Sequence, residues 1–168
     1  VFRSRDVFPA GGRFAAPRFR LATNSLCVAG RDAARLIAPQ PLSVAAANPS
    51  VLALKARLSQ AAKRLKAAST TARVRAASAD AGRAVLAAGF GLVLLDEQVW
   101  TEDLDRRRDF FLLNRPERKA DIERAYQMAT RPPAAALEGL AFIEQAAGWL
   151  VPECEAWLDM FNPAREGA

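Results

Sequence analysis

The chain has 168 residues, 51% hydrophobic and 25% charged, enough for one domain with a buried core plus an extension. It contains no histidine and two cysteines far apart, Cys27 and Cys154. Without histidine the commonest general base and metal ligand are missing, and two distant cysteines give no disulfide framework; they read as free thiols in a reducing compartment. The net charge of +6 is unevenly spread. Residues 1–83 hold fifteen Lys/Arg against Asp6, Asp32 and Asp80, and residues 84–168 hold nine against fifteen acids. A basic half joined to an acidic half predicts an electrostatically anchored extension, its partner an anionic lipid surface, nucleic acid or an acidic protein face.

In chain order, residues 1–47 are rich in Arg, Ala, Phe and Pro, carry two acids and show no sustained period. They predict an irregular basic extension with the composition of a mitochondrial import leader. Asn48-Pro49 reads as a helix start, with Asn as N-cap and Pro in the first helical position. Val51, Leu54, Leu58, Ala61 and Leu65 then recur at three- and four-residue steps and predict a helix over 50–68. Lys55, Arg57, Lys63, Arg64 and Lys66 make it basic and amphipathic, a solvated face or a contact for lipid headgroups or nucleic acid.

Residues 69–75 break the pattern, and 76–88 are alanine-rich and helix-permissive. Gly89 and Gly91 predict the end of that helix, since glycine accepts a left-handed cap. The stretch 87–100, "AAGFGLVLLDEQVW", then reads as a corner between helices that pins Phe90 and Leu92–Leu95 into the core. The chain's longest uncharged apolar run, Ala84–Leu95, is twelve residues, whereas a spanning helix needs about 20, so no transmembrane span is expected.

Thr101 with Glu102 and Asp103 predicts a helix start, acids lying near the positive end of the dipole. That helix runs to about Leu113 with Leu104, Phe110, Phe111 and Leu112. Arg115-Pro116-Glu117 opens the next, striped by Ile122, Ala125, Tyr126 and Ala129 and ended by Pro132-Pro133. A helix over 134–147 turns Leu137, Leu140, Ala141 and Ile143 inward and stops at Gly148. A last one carries Trp149, Leu150, Val151, Trp157, Leu158 and Phe161. No stretch alternates with period two, so the fold class is all-α. Three segments are expected: the irregular extension 1–47, a basic amphipathic helical segment 48–83 and a small helical domain 84–168.

No reactive constellation emerges. The acid pairs Asp96/Glu97, Glu102/Asp103 and Glu153/Glu155 sit in charged neighbourhoods at helix ends and read as caps or solvated faces, since acid–base pairs need burial to split their pKa values. The Gly89-Phe90-Gly91 step lacks the longer phosphate-loop pattern. Arg106-Arg107-Arg108 is flanked by acids and predicts local ion pairs. Trp100, Trp149 and Trp157, with Phe90, read as anchors for a core or a partner interface. No catalytic, cofactor-binding or metal-binding residue is expected.

From residue 87 to 161 the order of features resembles a family: the small matrix-side subunit of the mitochondrial cytochrome bc1 complex, respiratory complex III, called subunit seven or the ubiquinol–cytochrome c reductase binding protein. The matching pieces are Ala87-Ala88-Gly89-Phe90, Gly91-Leu92, Asp96-Glu97, then Trp100 with Glu102 and Asp103 before the helix Leu104–Leu113. Arg118, Ile122, Arg124-Ala125 and the aromatic-Leu-x-Pro step Trp149-Leu150-Val151-Pro152 complete the series. The family's Arg-Leu-Pro after the acid-started helix is absent, as is its histidine near Arg131-Pro132-Pro133. The resemblance implies an accessory subunit without an active site of its own, peripheral on the matrix side of the inner membrane. It would pack against cytochrome b and the core proteins, support cytochrome b assembly, and leave the hemes and iron–sulfur cluster to its neighbours. Phe90, Trp100, Trp149 and Trp157 are then the expected partner anchors, and the basic helix the expected lipid contact. The alternative is a basic RNA-binding scaffold such as a mitochondrial ribosomal protein, which the sequence pI near 10.1 favours.

Overall fold

The computed structural model describes residues 42–165; of the expected irregular extension 1–47, residues 1–41, with Cys27, lie outside them, and residues 44–47 are helical instead, with Ala46 and Ala47 buried. Five α-helices and no strand are present among the described residues, as an all-α chain predicts. They are α1 (Val44–Lys66), α2 (Thr71–Glu97), α3 (Leu104–Asn114), α4 (Lys119–Thr130) and α5 (Ala136–Phe161), with a 3-10 turn at Pro116–Arg118 between α3 and α4.

The organising element is α2. Sixteen of its 27 residues are buried, including the run Gly89–Leu94. A helix apolar on nearly every side must be enclosed, and α1, α3, α4 and α5 all pack on it. The apolar stripe of α1, Val51, Leu54, Leu58, Ala61 and Leu65, is buried as its spacing predicts. It joins α2 residues, Phe111, Ile122, Phe142 and Leu150 in one hydrophobic cluster. Residues 48–83 and 84–168 therefore share a single core, and the expected boundary at 83/84 falls inside α2.

Several local expectations are corrected. The corner at 87–92 does not exist, because α2 continues to Glu97. Gly89 and Gly91 serve by being small. A Cβ on Gly91 would lie 2.8 Å from Ser50 Oγ and 2.9 Å from Val51 of α1; on Gly89 it would lie 3.2 Å from the Phe111 ring of α3. The helix instead ends at Gln98, whose φ of 51° is left-handed and whose N–H donates to Leu94 O at 3.1 Å. Joined to the alanines before it, the apolar stretch makes α2 long and apolar enough to cross a membrane, yet 78% of that window is buried by the protein itself.

Two prolines expected at helix starts sit inside helices instead. Pro49 lies in α1, which begins at Val44, and Pro152 lies in α5, which passes straight through Gly148. Each removes the N–H that would bond four residues back. The carbonyls so orphaned belong to Ala45 and Gly148, both exposed, where water can take the bond. On α5 the inward face is Gly139, Phe142, Ile143 and Ala146. Leu137, expected inward, is 80% exposed, and Ala141 and Phe161 are exposed as well.

At the remaining starts, Thr70 caps α2 by accepting from Arg73 N, and Asp103, not Thr101, caps α3 by accepting from Arg106 N at 2.9 Å. Thr101 Oγ1 in turn accepts from Asp103 N.

Candidate docking surfaces

Phe90 is 2% exposed, with its ring centroid 6.0 Å from that of Phe110 and the Arg107 guanidinium above it. Its surface is used within the chain, which corrects its expected place among the partner anchors. The other three are arranged differently. Trp149 is half-buried, 6.1 Å from Phe111 and overlaid by the Arg118 guanidinium at 5.0 Å. Arg118 is held there by Glu153 at 2.7 Å, so one acid of the Glu153/Glu155 pair fixes α5 to the 3-10 turn. Trp100 packs on the core from the α2–α3 loop and lines a small cleft with Phe90 and Arg107. Trp157 is buried on α5, 5.1 Å from Phe161.

Trp157 borders the more apolar open surface. A cleft of about 530 Å³ lies between the C-terminal ends of α2 and α5, walled by Leu92, Leu95, Trp157, Met160 and Phe161. Asp96, Glu117 and Glu153 line it against one cation, Arg115. Met160 is 73% exposed and Phe161 44%. Two adjacent apolar side chains left in water at the rim of an acid-lined cleft form an unpartnered apolar edge. The sequence reading placed Phe161 on the last helix and gave Met160 no role.

All five expected cations of α1 are exposed. At about 100° per residue four of them fall into two rows on opposite flanks of the buried stripe. Lys55 and Lys66 occupy one flank and Arg57 with Arg64 the other, while Lys63 lies on the outer face opposite the stripe. The arginine flank meets α2. There Arg57, Gln60 and Arg64 line a cleft of about 320 Å³ with Asp80 and Arg83, and buried Ala61 forms its floor. Asp80 is shared: Arg64 Nη1 reaches Oδ2 at 2.5 Å and Arg83 Nη1 reaches Oδ1 at 3.2 Å. Asp80 and Arg83 escaped the sequence reading, although their i, i+3 spacing marks them as helix neighbours.

The basic triplet resolves into separate duties. Arg108 pairs with Asp109 at 2.8 Å and approaches Asp105 and Glu123, and its guanidinium lies 4.5 Å over the Tyr126 ring. Arg107 donates from Nε to Thr101 O at 2.9 Å. Glu97 accepts from Asn114 Nδ2 at 2.6 Å, tying the end of α2 to the end of α3. Cys154 is a free thiol buried on α5. Burial first, then Glu153 and Glu155, push its pKa up to about 12, which makes it a poor nucleophile. No cluster of acids and cysteines suited to a metal ion occurs among the described residues.

The chain matches no known protein-family model, no curated protein and no solved structure.

Proposed function

We propose that this protein is a non-catalytic accessory subunit that works by docking, and that the assembly it serves is mitochondrial respiratory complex III. The observation that carries the docking role is the exposed Met160–Phe161 edge beside an acid-lined cleft. Apolar side chains that the fold leaves in water gain stability when a partner covers them, roughly 25 cal/mol per Å². The assembly is named by the residue order from Ala87 to Phe161, which is similar to that of the matrix-side subunit family. Two of its landmarks, Ala87–Leu92 and Trp149–Pro152, lie within continuous helices here, so the likeness is one of residue order.

In this reading the protein sits peripherally on the matrix side of the inner membrane, against cytochrome b and the core proteins. Hemes and the iron–sulfur cluster stay in neighbouring chains. The cations of α1 and α2 face an anionic lipid surface, where each contributes about 1 kcal/mol. The test is co-migration: a tagged copy run on a native gel of solubilised mitochondrial membranes should travel with heme b absorbance. Migration of the whole population as free protein, away from heme b, refutes the assignment.

A further inference from the structure

The three arginines of the α1–α2 cleft are arranged differently from the lysines. Arg57 and Arg64 are seven residues apart, on nearly the same line of α1, and Arg83 projects from the facing helix into the same cleft. A single carboxylate, Asp80, spreads one oxygen to each of Arg64 and Arg83, which orients both guanidiniums and leaves most of their donors unused. Arg57 has no ion pair among the described residues, and Gln60 adds an amide beside it. Three guanidiniums against one carboxylate leave a surplus of two positive charges in a recess with an apolar floor.

We propose that this cleft is a phosphate-binding site, its ligand the phosphate monoester of a lipid headgroup or a free phosphate. Planar guanidiniums suit phosphate oxygens because each offers paired parallel donors. The recess, about 320 Å³, has room for a phosphate group together with part of its ester. An extended nucleic-acid backbone needs a continuous track of cations, and none of the lysines of α1 lines this cleft. The site stands on the cleft geometry; it rests on the proposed membrane location only for the source of the phosphate.

The test uses the full chain and a pair of charge-matched double variants. Arg57→Gln with Arg83→Gln removes two guanidiniums from the cleft, and Lys55→Gln with Lys66→Gln removes the same charge from the other flank. Binding is measured to vesicles of phosphatidic acid in phosphatidylcholine, with pure phosphatidylcholine as blank, and to inorganic phosphate in solution. Circular dichroism checks that each variant keeps its helices. Should the arginine pair unfold the chain, Arg57→Gln alone, at an exposed position without an ion pair, takes its place. The arginine variant should lose about tenfold in affinity for the charged vesicles and the lysine variant less than about threefold, since a directed site outweighs screened surface charge. Displacement of the vesicles by millimolar inorganic phosphate identifies the phosphate group itself as the ligand. Site-specific loss without such displacement identifies the lipid as the source. Equal loss in both variants, no loss in either, or tighter binding to single-stranded RNA than to vesicles overturns the proposal. Co-migration with heme b is read on the same chains: if the wild-type chain co-migrates but shows no phosphate binding that the arginine variant selectively loses, the site falls and the accessory role stands. If phosphate binding holds without co-migration, the reverse applies.

Discussion

Two buried side chains carry the sharpest predictions at the scale of single residues. Ser78 on α2 is fully buried, and its hydroxyl has no hydrogen-bond partner among the described residues. An unsatisfied buried hydroxyl destabilises by about 1 kcal/mol or more. Ser78→Ala should therefore raise the urea midpoint by an amount equivalent to about 1 kcal/mol; a lowered midpoint would mean the hydroxyl is bonded. Cys154 bears on pH. Its pKa is raised in the folded state to about 12 from an ordinary 9.0, so the folded protein favours the protonated thiol. That contribution is intact below about pH 9 and declines as pH rises toward 12. Between pH 8 and pH 10.5 the wild-type chain should lose more stability than Cys154→Ala, whose midpoint at pH 8 is lower by a constant offset from the small cavity. Parallel loss in the two chains would show that the thiol does not titrate differently on folding. At pH 8 the native thiol should also resist alkylation, becoming reactive only in denaturant.

Among the elements, glycine and proline are where sequence and structure part company. The apolar stripes of α1 and α4 were legible because side-chain period follows directly from helix geometry: Val51, Leu54, Leu58, Ala61 and Leu65 are buried, as are Ile122, Ala125 and Ala129, with Tyr126 of the second stripe half-buried. Glycine is ambiguous, since it both caps helices and lets them approach. Gly89, Gly91 and Gly148 read as stops in one dimension, yet all three lie inside helices. What decides between the two uses is whether another helix passes close by, which no local window contains. The two prolines misled for a related reason. Their lost bonds fall on exposed residues, and exposure is a property of the assembled bundle. Leu137 was misplaced because the inward face of α5 is set by Gly139 against Leu65 and Ser78, a contact across 60 or more residues of chain.

Two glycines test this at opposite extremes. A Cβ on Gly82 would sit 2.5 Å from Ala129 N and 2.6 Å from Ala125 O, backbone atoms of α4 that cannot rotate away. Gly82→Ala should destabilise by about 2–3 kcal/mol or more, as overpacking between helices does. Gly148 has nothing within 4 Å of a Cβ and is exposed in mid-helix. Gly148→Ala should stabilise by about 0.5–1 kcal/mol through helix propensity alone. Thermal melts of the pair measure both; shifts of the same sign would contradict the packing of α4 on α2.

For the molecule as a whole, the charge asymmetry visible in the sequence becomes spatial. Arg57, Arg64 and Arg83 of the basic half converge on one cleft of the α1–α2 hairpin, while acids line the apolar cleft where α2 and α5 end. The all-α class could be read from period. The clefts could not, because each is built by side chains from two or three helices distant in sequence. The proposed role follows from these surfaces together with the residue order from 87 to 161: a helical body that joins other chains and lends them stability.

The most direct measurement of that claim is the amount of assembled complex III in cells depleted of this protein, read as heme b absorbance at the position of the complex on native gels. The account predicts that the assembled complex falls on depletion and is restored by the wild-type chain, but poorly by Met160→Glu with Phe161→Glu. Unchanged levels of the complex after full depletion would contradict it.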